Sequence, residues 1–253
     1  MTSRMPALFI GHGSPMNAIT DNPFRSAWRE LGAELARPRA VLCISAHWET
    51  AAPMVCTADP PQTIHDFAGF PPTLHAVRYP APGSPPLVRR VLDLAGGDVS
   101  PDPGWGLDHG AWQVLMHLFP EAAVPVVQLS LARGYSAGQH LDLARKLSVL
   151  REEGVLILGS GNIVHNLRQI GGSGTPDWAT DFDAAVANAI ERNDLQALAD
   201  YGALPGASLA VPTSEHYWPL LYALGTRHAD DSLEFFTERF DLGSISMRSV
   251  RIG

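Results

Sequence analysis

The 253 residues predict an α/β fold, a single domain over 1–253 with a central, mainly parallel sheet and helices on both faces. Three observations carry that expectation. Short apolar runs bounded by Pro and Gly (Ala7–Ile10, Ala40–Ile44, Val155–Leu158) read as buried strands. Between them lie stretches with apolar residues at helical spacing, the alternation that builds parallel sheets. No internal repeat or low-complexity linker divides the chain, and 45% hydrophobic content supplies a sizeable core.

Taken in order, the first strand, Ala7–Ile10, stops at Gly11-His12-Gly13, where flanking glycines let the backbone bend. A helix around Ser26–Ala36 keeps Trp28, Leu31 and Leu35 on one face, and Pro38 ends it. Ala40–Ile44 is the next strand and runs into Ser45-Ala46-His47-Trp48; a further strand centres on Met54-Val55-Cys56. Thr63–Gly83, rich in Pro and Gly yet carrying Phe67, Phe70, Leu74 and Tyr79, reads as a packed functional loop with His65-Asp66-Phe67 as a site element. A helix through Val88–Leu94 follows Ser84-Pro85-Pro86, then a Gly/Asp/Pro-rich connection, then the apolar helix Ala111–Phe119 with His109 at its N-terminal edge. Pro125–Ser130 is a strand and His140–Leu150 a helix. The strand Val155–Leu158 opens into Gly159-Ser160-Gly161 and points toward His165. Gly171–Thr175 reads as a flexible loop, Trp178–Asn193 and Leu195–Tyr201 as covering helices, and Tyr217–Leu224 as an apolar helix after Glu215-His216. Leu233–Arg239 and Ile245–Ile252 complete the chain as a hairpin joined at Asp241-Leu242-Gly243.

The charge balance, 18 Lys+Arg against 26 Asp+Glu and a net −8, leaves no basic stretch able to follow a phosphate backbone, so nucleic acid is not an expected partner. No apolar run approaches the roughly 20 residues of a membrane span, and the first residues lack the apolar core of a signal peptide. A cytoplasmic protein without membrane attachment is the expectation. Cys43 and Cys56 fit no disulfide or CxxC spacing and are expected to be reduced thiols.

Histidines carry the functional signal. In open α/β sheets ligands bind beyond the carboxyl ends of the strands, and His12, His47 and His165 all follow strands that would end on one side. Neutral imidazole is the commonest transition-metal ligand, so shared metal binding is expected. His216 is a fourth candidate beside Glu215. His109, at a helix N-terminus, suits a proton carrier because the helix dipole disfavours imidazolium. His117 reads as packed core, and His140 and His228 as surface. Ser14 is followed by Pro15, which lacks the N–H an oxyanion hole would need, and no G-x-S-x-G is present, which argues against a serine hydrolase. Gly159-Ser160-Gly161 reads as an anion cradle or a tight turn.

The motifs GHGSPMN (11–17), SAHWET (45–50), IHDFAGFP (64–71), YPAPGSP (79–85), LDHGAW (107–112), VPVVQLS (124–130), GSGNIVHNLR (159–168) and PTSEHYWPLLYALG (212–225) span the chain in order. Together they resemble the class III extradiol ring-cleavage dioxygenases of the LigB type, in the branch of 4,5-DOPA extradiol dioxygenases. The resemblance implies metal ligands at His12, His47, His165 and His216 and a catalytic histidine at His109. Another branch of the family places a Glu as third ligand and uses the position of His165 as acid/base. Glu215 and His216 both remain candidates on that comparison, and His165 is ligand or catalytic base. The implied chemistry is cleavage of a DOPA-like catechol with O₂ to a muconic semialdehyde, with Fe(II) as the cofactor expected for activity and Zn(II) able to occupy the site. Phe67, Phe70, Trp48 and Tyr217 are candidates to wall the ring. The alternatives are a zinc-dependent hydrolase using the same histidines, or a non-catalytic binding protein for a metal or aromatic ligand; oligomeric state is left open.

Overall fold

The computed structural model describes residues 4–171 and 174–253. In chain order, strand β1 (Ala7–Gly11) is followed by helix α1 (Pro23–Glu34), β2 (Ala40–Thr50), β3 (Met54–Cys56), α2 (Pro72–His75), α3 (Pro85–Ala95), β4 (Ser100–Asp102) and α4 (His109–Leu118). Then come β5 (Val126–Ala132), α5 (Ala137–Leu147), β6 (Val155–Gly161), α6 (Asp177–Glu191), α7 (Leu195–Ala199), α8 (Ala207–Ala210) and α9 (Trp218–Gly225). The last strands are β7 (Leu233–Phe236), β8 (Phe240–Asp241), β9 (Ile245–Ser246) and β10 (Ser249–Ile252).

The main sheet has eight strands in the order β4-β3-β5-β2-β6-β1-β10-β7. Its centre, β5-β2-β6-β1, is parallel, and β10 and β7 add an antiparallel edge. Alternate residues of the central strands feed two cores, because successive side chains point to opposite faces. On β1, Ala7 and Phe9 pack with α3, α5, α6 and α9, whereas Leu8 and Ile10 pack with α1 and α4. Helix starts follow their side-chain caps: Asn22 for α1, Ser84 for α3, Asp108 for α4, and a Ser136/Gln139 capping box for α5.

The fully buried Arg151 ties distant segments together. It donates to the carbonyls of Met5 (2.7 Å), Thr226 (2.7 Å) and Ile252 (3.0 Å) and to Asp231 (2.5 Å). A buried guanidinium is tolerated because its donors find acceptors and its charge a carboxylate.

Three expectations are revised, and a fourth falls partly outside the described residues. β2 does not end at Ile44 but runs through His47, with a register shift against β5 between Ile44 and Glu49, so His47 sits in an irregular segment of the strand. The C-terminal hairpin forms, β7 pairing β10, but a second small pair, β8-β9, is inserted within its connection. His140 is buried, not surface: it shares the inward face of α5 with Leu143, Ala144 and Leu147, and its Nδ1 lies 3.0 Å from the Tyr222 hydroxyl. The Gly171–Thr175 loop falls partly outside the described residues, which omit Gly172 and Ser173.

Candidate metal centre

The carboxyl edge of the parallel sheet gathers the histidines. His12 follows β1, its backbone N–H donating to the Gly161 carbonyl at the end of β6 (3.0 Å). His47 comes from the irregular part of β2. His216 lies in the turn before α9, where its carbonyl accepts from Asn162 (2.8 Å). That turn can seat itself on β6 because residue 161 is glycine: a Cβ there would lie 2.1 Å from the His216 carbonyl oxygen. Gly159-Ser160-Gly161 is thus strand, neither an anion cradle nor a tight turn, and its glycines admit close backbone approach. The ring centroids of His12, His47 and His216 are 5.0–5.3 Å apart, and one candidate ligand atom from each falls within 4.8 Å of the others.

Hydrogen-bond counting fixes the tautomers. The Ser160 hydroxyl hydrogen goes to the Gly110 carbonyl (2.6 Å), so Ser160 Oγ accepts from His12 Nδ1–H (3.0 Å). Asp66 accepts from His47 Nδ1 (3.2 Å) and Glu215 from His216 Nδ1 (3.1 Å), since a carboxylate can only accept. Each ring therefore keeps a bare lone pair on Nε2. Those of His12 and His47 face one another at 3.1 Å, an arrangement without a shared hydrogen. It is the spacing of two nitrogens bound to one ion at about 2.1 Å each, and carboxylate or hydroxyl partners behind ligating histidines are the usual orienting groups. The donor set fits a metal ion.

Burial, with repulsion from neighbouring imidazoliums, holds His12 and His216 well below the ordinary histidine range. Burial also takes His47 down to about 3 and His165 to about 4. All four rings are neutral near pH 7, the state a ligand requires. His165 stands apart in geometry. Its ring lies parallel to that of His216, 3.5 Å between centroids and 6° between planes, so an ion in the plane of one ring lies off the plane of the other.

His109 is the first residue of α4, against His47 (centroids 3.9 Å). Asp66 holds it twice, accepting from its backbone N–H and from Nδ1–H, both at 2.8 Å. Burial works to raise the Asp66 carboxyl, but the His109 bond and the neighbouring imidazoles outweigh it and hold the carboxyl below its usual range. Under the site, the α4 cap Asp108 accepts from Ser45 (2.6 Å) and Gln128 (2.5 Å); burial, with the Asp66 charge, pushes it up to about 6.

These side chains floor a cavity of about 480 Å³ whose lining includes His12, His47, His109, His165, Glu215 and His216, with Phe67 and Phe70 in the wall. Trp48 and Tyr217 do not line it. Trp48 stacks on Trp105 (5.3 Å, 5°), and Tyr217 is buried against Tyr201. Within the 65–67 element, Asp66 and Phe67 reach the site, while His65 turns to the Val77 carbonyl (3.1 Å). His117 is core, as expected. Ser160 was readable only as part of a loop: nothing in the sequence announces a hydroxyl that orients a histidine 148 positions away.

Buried neutral imidazoles with converging lone pairs, a carboxylate-backed histidine beside them and an aromatic-walled cavity above form a site suited to a metal ion and a small aromatic molecule. The comparisons with known proteins agree. Residues 6–252 match the family described as the catalytic LigB subunit of aromatic ring-opening dioxygenase. The chain is 44% identical to the 4,5-DOPA dioxygenase extradiol of Escherichia coli (strain K12), covering 100% of this chain and 96% of that one. It is 39% identical to the protein of the same name from Beta vulgaris, covering 96% and 94%. A solved structure of an uncharacterized protein from Escherichia coli K12 superposes with a TM-score of 0.86 at 40% identity, covering 99% of this chain. The chain belongs to the LigB family and is an extradiol ring-opening dioxygenase, a family with a non-haem metal centre.

Proposed function

We propose that the protein cleaves a catechol with O₂ at a metal held by His12, His47 and His216, giving a muconic semialdehyde-type product. The observation carrying this reading is the convergence of bare Nε2 lone pairs on the floor of the cavity, each ring fixed from behind by Ser160, Asp66 or Glu215. Glu215 accepts through one oxygen, Oε1, from both His216 Nδ1 (3.1 Å) and the Thr213 hydroxyl (2.8 Å), which sets it behind His216; on this reading His216 is the ligand and Glu215 orients it. Fe(II) is the metal of choice, since it supplies open coordination positions and the redox chemistry that joins catecholate to O₂, whereas Zn(II) supplies only Lewis acidity.

The chain's own residues do the rest. His165, neutral and lacking a hydrogen-bonded carboxylate, is the base that takes a catechol hydroxyl proton, a role its face-to-face stacking on His216 favours over ligation of the same ion. His109 has Nδ1–H committed to Asp66, so Nε2 is the atom that exchanges a proton with the reacting oxygens, and the Asp66 charge offsets the imidazolium formed there. Phe67 packs edge-on to His109 (5.5 Å, 82°) and, with Phe70, keeps water from the ring. The protein acts as one domain throughout residues 1–253, on a small molecule and O₂.

The test is anaerobic loading with Fe(II), addition of L-DOPA or another catechol, then air, following O₂ uptake and visible absorbance. Stoichiometric O₂ uptake with a coloured ring-opened product is expected. Uptake by no catechol in a panel, or turnover that persists without O₂ on a hydrolysable ester, would refute the reading.

A further inference from the structure

His165 stands on irregular backbone. Beyond β6 the segment 162–166 is held in place from outside: the His165 N–H donates to the Ala210 carbonyl at the end of α8 (2.9 Å), the Asn166 N–H to the Ser244 carbonyl (3.3 Å), and His165 bridges Ile245 of β9. Ser246, the other residue of β9, grips the segment twice more. Its N–H donates to the Val164 carbonyl (3.0 Å), and its carbonyl accepts from the Asn162 side-chain amide (2.8 Å). The position of the His165 ring therefore follows the position of β9. Yet β9 is two residues long and pairs with the equally short β8, a ribbon too small to hold its place alone.

Its anchor lies in α6. Asp183 shares the buried face of that helix with Ala179, Phe182, Val186 and Ala187. One carboxylate oxygen accepts the Ser246 hydroxyl (2.5 Å) and the other accepts Arg248 Nε (2.8 Å). Arg248 also pairs with Glu238, and its backbone N–H donates to Ser246 Oγ (3.2 Å). A buried carboxylate pays a desolvation cost that an apolar side chain on this face would avoid, so its use here is to select one position for what it binds.

Resting on the ring-cleavage reading with His165 as its base, we infer that Asp183 and Ser246 are positioning residues for that base. They fix β9, and β9 sets the segment that stacks His165 on His216 and presents it to the cavity. The rings of His12, His47 and His216 are oriented by Ser160, Asp66 and Glu215, outside this chain of bonds.

The test compares Asp183→Ala and Ser246→Ala with wild type after Fe(II) loading, on 4-methylcatechol and on 4-nitrocatechol, whose nitro group ionises one hydroxyl without help from a base. Both variants should keep stoichiometric metal by elemental analysis. For Asp183→Ala, kcat/KM on 4-methylcatechol should fall about tenfold, the scale of a misplaced base, and on 4-nitrocatechol less than about twofold. A second readout needs no turnover. In Zn(II)-loaded protein with isotope-labelled histidine, the His165 ring resonances, assigned by their loss in His165→Ala, are displaced by the facing His216 ring. In both variants they should move toward the unstacked position while those of His12 and His47 stay. Ser246→Ala preserves the Asp183–Arg248 pair and carries the test should Asp183→Ala fail to fold. Equal losses on the two catechols, unmoved His165 resonances, or loss of metal would overturn the inference. Turnover of no catechol by wild type would overturn ring cleavage instead, and the resonances alone would then decide whether Asp183 positions His165.

Discussion

Replacing Asp66 with Asn removes one charge and keeps the shape, which makes it the most informative single change at the site. Asp66 accepts three hydrogen bonds: the His109 backbone N–H (2.8 Å), His109 Nδ1–H (2.8 Å) and His47 Nδ1–H (3.2 Å). An Asn oxygen can serve the backbone N–H, but its NH₂ then faces two ring N–H groups that need an acceptor. Both imidazoles are pushed toward the opposite tautomer, and for His47 that places a hydrogen on the Nε2 now facing His12 Nε2. Each charged hydrogen bond contributes about 1.5–3 kcal/mol, and losing an orienting carboxylate behind a ligating histidine costs about 10–100-fold in metal affinity or activity. Because Asp66 serves the proposed ligand His47 and the proposed proton carrier His109 together, the upper end applies: kcat/KM should fall about 100-fold, near 2.7 kcal/mol in the barrier. Fe(II) affinity should fall by at least about tenfold. The assay is O₂ uptake over a range of catechol concentrations that yields kcat/KM, paired with a competitive metal titration, on protein whose circular dichroism matches wild type. An Asp66→Asn protein within threefold of wild type in both measurements would refute the tautomer argument.

Three further outcomes follow from the geometry. His12→Ala and His47→Ala should each lose stoichiometric metal, read by elemental analysis after reconstitution; full retention in both would remove the convergence of lone pairs as the binding determinant. Gly161→Ala sets a Cβ 2.1 Å from the His216 carbonyl, so it should destabilise by about 1–3 kcal/mol or more in chemical denaturation and lower metal affinity as His216 is displaced. Asp231 is buried between Arg4 and Arg151 and, although burial opposes it, their bonds take its carboxyl down to about 2. Its folded value lies below its unfolded one, so its contribution is complete above about pH 4 and is lost as pH falls toward 2. Asp231→Asn should therefore cost about 1–2 kcal/mol at pH 7, allowing for solvent screening, and flatten the stability profile between pH 4 and 2 in urea titrations.

How much of this was legible in the sequence depends on the range of the interaction. Strands such as Val155–Leu158 and caps such as Asp108 are local, and their signals survive in a single stretch of chain. His12 and His47 were legible because a histidine beyond an apolar run in an α/β protein has few other places to point. His140 was misread by its polar neighbours, though its spacing to Leu143, Ala144 and Leu147 put it on the inward face. The proposed division of labour between Glu215 and His216, and the proposed role of His165 as base, were not legible: both proposals rest on hydrogen-bond partners and ring stacking that only the assembled sheet creates. Trp48 and Tyr217 looked like pocket walls because aromatic mass near a motif does not say which side of the backbone it occupies.

The three converging rings also impose an order of events on the polypeptide as it folds. His12 and His216 are 204 positions apart, and their seats require β1, β2 and β6 to be in register with the α9 turn already pressed onto Gly161. Contacts of such sequence separation form slowly, since the chain must close large loops before they reward it. The nascent chain thus offers scattered, protonatable imidazoles and no site, and metal capture is a late step that depends on the finished sheet. Added metal should leave the refolding rate unchanged while slowing unfolding, acting as a lock on the native topology and not as a nucleus for it.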